Sequence, residues 1–311
     1  MQKGVDITRE KTRKNKRYED LTFTDDFLFC KILQNNPELC KELTELILGK
    51  KIGEIVQPER QKSIEITADG KGVRFDVYFE DDKETIYDIE MQANWFEALP
   101  KRSRYYQGMI DLNKLERGEK YENLKPCYIV FICLKNPFPK IGLHKYTFIN
   151  TCREMPEFEL EDGAVKVFLS AEGTKDDVSE EMKGFLTFLT SRGSSTDLTR
   201  RLAEEVEKAR HHERWKVEYM TLLERDERMR EEGRIEGRID GRIEGRIEGR
   251  IEGERKKTIS QVIKKLKKGY TVAVIAEQLE ESEDEIQDII RIAEKYAPDY
   301  PEEKILEEAL K

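Results

Sequence analysis

Asp76, Glu90 and Gln92 are the residues whose types and spacing offer this chain a chemistry. Asp76 lies in the run GVRFDVYFED and Glu90 and Gln92 in ETIYDIEMQ, two strand-like segments separated by the turn-prone DDK. Side chains alternate along a strand, so Arg74, Asp76 and Tyr78 share a face of the first segment and Asp88, Glu90 and Gln92 share a face of the second. If the two pair as a hairpin, Asp76, Glu90 and Gln92 converge. Two carboxylates so placed make a hard-oxygen site suited to Mg²⁺ or Mn²⁺. Such an ion would polarise a phosphodiester oxygen and lower the pKa of a bound water, which the Gln92 amide would orient. Asp88 is an acid standing behind the pair, or the ligand itself if the register differs. In a chain with 65 acidic residues the spacing alone is weak, and ordinary strand acids are the plain alternative. The surrounding elements must decide.

Those elements form a consistent series. Residues 21 to 49 read as two short helices, the first capped by Thr24 or Asp25, the second opened by Asn36 and Pro37 and ended by Gly49. Three strand-like runs follow, KSIEIT, GVRFDVYFED and ETIYDIEMQ, with ADGKG and DDK between them, as expected of consecutive antiparallel hairpins. PKRSRYYQGMIDLNKLERG has helical spacing up to Gly118, and PCYIVFICLKN is a continuous apolar run suited to a strand buried on both faces. The order is ααβββαβ, and KYTFIN and AVKVFL add two strands before the chain turns helical near residue 178. The fold class expected is α/β, a central mixed sheet flanked by helices, followed by a long helical arm and a small helical module.

Composition narrows the chemistry. Charged residues are 39% of the 311 and hydrophobic ones 37%, which points to long solvated helices as well as a core. A net charge of -9 supplies no global field for a polyanion, so any nucleic-acid contact must come from a local basic surface. The histidines are only His144, His211 and His212, and the five cysteines lack CxxC spacing, so neither zinc nor disulfides are expected and carboxylates must hold any metal. The start has no apolar leader and no stretch is long enough to cross a bilayer, from which a cytoplasmic location is expected.

Taken together, FTDDFLFCKIL, GVRFDVYFED, YDIEMQ, RSRYYQGMIDLNKLERGEKY and the GRIEG array resemble the Rpn family of recombination-promoting nucleases, also called PD-(D/E)XK nuclease family putative transposases. The resemblance covers essentially the whole chain. It implies a restriction-endonuclease-like core, a divalent-metal-dependent endonuclease acting on DNA, and a link to recombination or mobile DNA. Asp76 then matches the family's strand aspartate, and Glu90 and Gln92 its ExQ. The wider superfamily has lysine in place of Gln92; an amide gives a hydrogen bond without the charge, so restoring lysine there is expected to keep or raise activity. Superfamily practice adds an acid from the second helix, Glu45 or Glu42, as a further metal ligand, a solvated helix face being the simpler account of each. Asp25 and Asp26 read most simply as helix caps. Arg102, Arg104, Tyr105 and Tyr106 are candidates to bind the DNA backbone, with packing of a tyrosine against the sheet as the alternative. The basic run REKTRKNKR reads as a solvated tail or a DNA-contacting arm. A DDE-type transposase fits poorly, because the acids are close together and two helices precede the strands. The remaining rival is a nuclease-fold oligomeric DNA or protein binder that has lost catalysis.

The domains expected are a basic arm at 1–20, the nuclease domain at 21–195, a helical arm at 196–232, the repeat GRIEGRIDGRIEGRIEGRIEG at 233–253, and a helical module at 254–311. The module faintly resembles a helix-turn-helix, but its reading helix is acidic and would repel phosphates, so an assembly role is expected. On a helix, the four-residue period advances each repeat by roughly 40°, so Ile235, Ile239, Ile243, Ile247 and Ile251 form a winding stripe between an arginine row and an acidic row. Parallel pairing sets arginine against acid and antiparallel pairing sets like against like, so a parallel homodimer is expected, with a flexible linker as the alternative.

Overall fold

The computed structural model describes residues 16–59, 63–64, 72–191 and 193–309. The chain divides into two compact units, Met1–Leu223 and Glu224–Lys311. The first opens with helices α1 (Asp26–Asn35) and α2 (Pro37–Leu48). Pro37 begins α2, where its missing N–H costs nothing, and Gly49 ends it at φ 73°, a left-handed conformation glycine adopts without strain.

The strands are β1 (Ile55–Glu59), β2 (Ser63–Ile64), β3 (Val73–Arg74), β4 (Val77–Asp81) and β5 (Ile86–Gln92). After helix α3 (Leu99–Lys114) come β6 (Cys127–Cys133), β7 (Lys145–Phe148) and β8 (Ala164–Ser170). Six make one mixed sheet in the order β1-β4-β5-β6-β8-β7. The β4–β5 pair is the antiparallel hairpin expected, closed at Asp81–Lys83, whereas β6 runs parallel to both β5 and β8. Its apolar run Cys127–Cys133 is buried almost throughout, as a central parallel strand covered on two sides requires.

Two differences from the sequence reading have local causes. Ile55–Glu59, which carries a proline and shows no clear alternation, forms an edge strand beside β4, a position where a missing N–H breaks no essential ladder bond. Of KSIEIT, Ser63–Ile64 pairs with β3 as a separate two-stranded ribbon, and the ADGKG turn lies outside the described residues apart from Gly72.

Alternation along the strands builds a core on each face of the sheet. Val77, Ile89 and Val130 point to one side, where they pack with Phe29 of α1, Leu43 of α2, Phe185 of α4 (Glu180–Ser191) and Leu202 of α5 (Asp197–Arg210). Ile86, Ile129 and Phe131 point to the other, against Tyr106 and Ile110 of α3. The boundary expected at 195 falls inside the first layer: Leu198, Leu202, Val206 and Ala209 of α5 are all buried in the shared core, so this stretch is a layer of the domain rather than the start of an arm. Thr196 caps α5 reciprocally with Thr199, and the helix ends before His211.

The long helix α6 (Glu213–Leu266) begins in the first unit and includes the whole GRIE repeat. In the second unit Ile259, Val262 and Ile263 of α6 pack with Ile275 of α7 (Val272–Leu279), Ile286 and Ile290 of α8 (Glu283–Glu294) and Ile305 of α9 (Glu302–Ala309). The Ser282 hydroxyl accepts the Glu285 N–H at 3.2 Å, capping α8, while Thr271 starts α7 without a side-chain bond. No helix among the described residues is long and apolar enough to cross a membrane.

Candidate active site

Hairpin register brings two of the three sequence candidates, Asp76 and Glu90, together, and Gln92 follows two residues on along β5. Val77 opposes Ile89, which leaves Asp76, one residue before β4, beside Glu90. The Asp76 N–H donates to Glu90 Oε1 at 2.9 Å, and the Met91 N–H donates to Asp76 Oδ2 at 3.1 Å, so each carboxylate is fixed by backbone of the opposing strand. From α1, Gln34 Nε2 donates to the Asp76 carbonyl at 3.3 Å. Gln92 ends β5, with its Nε2 on the Asn94 carbonyl at 2.7 Å.

Arg102 completes the cluster. At the end of the first turn of α3, it points back at the end of β5: Nη2 lies 2.6 Å from Glu90 Oε2 and Nη1 lies 3.1 Å from Gln92 Oε1. Its Nε donates to the Tyr106 hydroxyl at 2.9 Å, one helical turn on, where i and i+4 side chains meet. The guanidinium also lies over the Tyr106 and Phe131 rings. Glu90 is 2% exposed and the Arg102 side chain 32%, so this is a largely buried ion pair rather than a surface bridge.

The site carries more negative charge than its arginines neutralise. Burial, then the nearby charge of Asp26 on α1, raises Asp76 to about 6. Burial, then Asp76, raises Glu90 to about 8, against the pull of Arg102. Asp88 is fully buried behind Glu90, and burial followed by the charges of Glu90 and Asp76 pushes it well above the usual carboxylate range. Asp88 therefore sits where it holds a proton, and it is shut off from solvent. Carboxylates that burial, and then neighbouring negative charge, drive to retain their protons are what a divalent cation would relieve. Among the described residues no three His, Cys, Asp or Glu side chains are gathered at ligand distance. The donor set fits a hard ion that takes two carboxylates and fills its remaining positions with water and substrate oxygens, as Mg²⁺ does.

The other candidates are placed elsewhere. Glu45 pairs with Lys51 at 2.6 Å and accepts the Ile52 N–H, and Glu42 pairs with Arg201 of α5, so neither of these α2 acids is brought to Asp76 and Glu90. The helix-borne acid whose charge Asp76 feels is Asp26 of α1, because α1, not α2, packs beside β4 at that end. Asp25 stands at the N-cap position, yet its carboxylate takes the Thr22 N–H at 2.8 Å and Lys16 rather than a helix N–H. Tyr106 is buried against Phe75, the packing alternative for that tyrosine, whereas Arg104 and Tyr105 are exposed on α3. The basic run lies outside the described residues up to Asn15; Lys16 and Arg17 pair with Asp25 and Asp20. Asp81 shows how a structural acid differs from these. It is buried but accepts from the Gly53, Lys83 and Thr85 N–H groups and the Tyr87 hydroxyl, which hold it below its usual range. A Cβ at Gly53 would strike the Asp81 and Asp82 side chains, so glycine is what lets the backbone approach.

Sequence comparison matches residues 23–232 to the family model described as PD-(D/E)XK nuclease family transposase. That span contains Asp76, Glu90, Gln92 and Arg102. No curated protein and no solved structure matches the chain.

Proposed function

The chain belongs to the PD-(D/E)XK nuclease family transposases, and from that premise we propose that it is a divalent-metal-dependent DNA endonuclease that hydrolyses phosphodiester bonds in recombination or on mobile DNA. The observation that carries this reading is the pair Asp76 and Glu90, side by side with both protons held unusually tightly and with Arg102 bonded to Glu90 and Gln92. Asp76 and Glu90 would hold Mg²⁺ or Mn²⁺, which when bound polarises the phosphoryl oxygen and makes its water a nucleophile near neutral pH. Gln92 would orient that water through its amide. Arg104 and Tyr105, exposed on the same helix as Arg102, supply a local phosphate-binding surface on a chain of net negative charge. Asp88 keeps its proton behind the pair and so adds no further charge to the site.

Wild-type chain is expected to nick and linearise supercoiled plasmid with Mg²⁺ or Mn²⁺ and to stop when EDTA is added. Asp76→Ala is expected to slow this by at least about a hundredfold, the scale of removing one preorganised electrostatic group. Wild-type protein that binds plasmid yet never cuts it would favour the rival reading of a nuclease fold kept for binding.

The repeat supports a second part of the proposal, a parallel homodimer. Along α6 the five isoleucines of the array are 39–57% exposed, an apolar row on a helix whose glycines lower its intrinsic stability by about 1 kcal/mol each relative to alanine. A second copy in parallel register would cover the row and set each arginine flank against an acidic one. Sedimentation of the full chain is expected to give a dimer at tens of micromolar by mass action. A monomer there, or antiparallel crosslinks, would remove this part and leave the nuclease reading untouched.

A further inference from the structure

We propose that Arg102 and a divalent cation are alternative partners of Glu90. On this view Arg102 holds the metal-free site together and, once released from Glu90, provides the positive charge that a lysine at position 92 would bring to the phosphate. The proposal rests on the metal-dependent reading above and deepens it.

The contacts require a choice. Glu90 has two oxygens: Oε1 is taken by the Asp76 N–H, and Oε2, the remaining one, by Arg102 Nη2 at 2.6 Å. An ion using Glu90 as a ligand must therefore compete with the guanidinium for the same carboxylate. It must also sit within a few ångströms of that positive charge, which in a 2%-exposed setting is screened far less than at a surface. Arg102 can leave Glu90 without leaving the site, because Tyr106 holds its Nε from one turn further along α3 and Gln92 accepts its Nη1. A planar guanidinium with five donors is suited to exchange a carboxylate for a phosphate, whose oxygens have similar geometry. The arrangement also gives Gln92 a reason to be neutral. An ammonium at position 92 would face the Arg102 guanidinium 3.1 Å from where the amide oxygen now sits, so charge reaches this spot from the helix instead of the strand.

The test is Mn²⁺ binding to the full chain, without DNA, by electron paramagnetic resonance or calorimetry, alongside plasmid cleavage. Arg102→Gln is expected to bind Mn²⁺ on the order of tenfold more tightly than wild type, because a competing charge has gone, yet to cleave on the order of a hundredfold more slowly. Unchanged Mn²⁺ affinity would mean that Arg102 contacts only DNA, and weakened affinity that it only holds Glu90 in position; either overturns the proposal. Should Arg102→Gln fail to fold, Arg102→Lys is read in the same way. It keeps the charge but cannot grip Glu90, Gln92 and Tyr106 at once, so affinity a few-fold above wild type is expected, and affinity at or below wild type overturns the idea. Gln92→Lys is expected to cleave more slowly than wild type, reversing the expectation from sequence, and Gln92→Lys combined with Arg102→Gln to regain part of the loss; a single variant as fast as wild type would also count against the proposal. Wild-type protein that takes up no Mn²⁺ would overturn this proposal together with the metal-dependent reading, whereas uptake that Arg102→Gln fails to tighten overturns this one alone.

Discussion

Replacing Glu90 by glutamine is expected to lower Mg²⁺-dependent cleavage by on the order of a thousandfold while leaving the fold in place. The substitution keeps shape and removes charge. Glu90 is 2% exposed, and its two oxygens meet two donors, the Asp76 N–H and Arg102 Nη2, so an amide at this position can satisfy only one of them and turns its NH₂ toward the other. Set against that loss is relief of a carboxylate strained by burial and by the charge of Asp76. The two effects oppose each other, so the thermal midpoint is expected to stay within a few degrees of wild type. Plasmid cleavage with a parallel melting curve checks both halves. Cleavage within tenfold of wild type would move the catalytic centre away from β5.

Cleavage and metal affinity are expected to fall steeply as pH is lowered from about 8 toward 6, while the metal-free protein becomes more stable over the same range. Burial raises Asp76 to about 6 and Glu90 to about 8, both above the values of 3.8 and 4.5 for free side chains. A carboxyl whose folded-state pKa is raised binds its proton more tightly folded than unfolded. Its stabilising contribution is therefore complete below the unfolded value and is lost as pH rises through the folded one. Without metal, the melting temperature should rise as pH drops through about 8, chiefly from Glu90, and again through about 6, from Asp76. Metal binding has the opposite sign, because it requires the ionised forms and must displace those protons; each proton displaced costs roughly tenfold in affinity per pH unit. Melting curves in EDTA at pH 6, 7 and 8, repeated with saturating Mg²⁺, read both effects. A metal-free stability that rises with pH across this range would show that the two acids are already ionised and matched by cation charge in the folded chain.

Much of the site was legible in the sequence because its central part is local. Asp76 and Glu90 sit on two strands joined by the short DDK turn, and once the chain reverses there, alternation and register bring the two carboxylates side by side with little help from the rest of the fold. The same holds for α1 and α2, set by Pro37 and Gly49, and for the apolar run of β6, each specified within a few residues of itself.

What tertiary structure decided was which distant element arrives at those carboxylates. Helical periodicity shows that α1 and α2 each have a buried face, but not which helix lies beside β4; packing places Asp26 there and leaves Glu45 with Lys51. Arg102 read from sequence as a phosphate-binding side chain, since an arginine fork fits phosphate oxygens. Only the crossing of α3 over β5 and β6 turns it inward onto Glu90 and Gln92. Likewise the helix-favouring run from Asp197 read as an arm although Leu198, Leu202, Val206 and Ala209 fall on one stripe, and that stripe became a layer of the core because α1 and α2 offer it a matching surface. The sequence by itself determined the two carboxylates and the strands that carry them, because neighbours along the chain enforce that geometry. The cation beside them, and the competition it sets up with a metal, came from contacts between segments far apart in sequence, whose pairing is settled by the packing of whole faces.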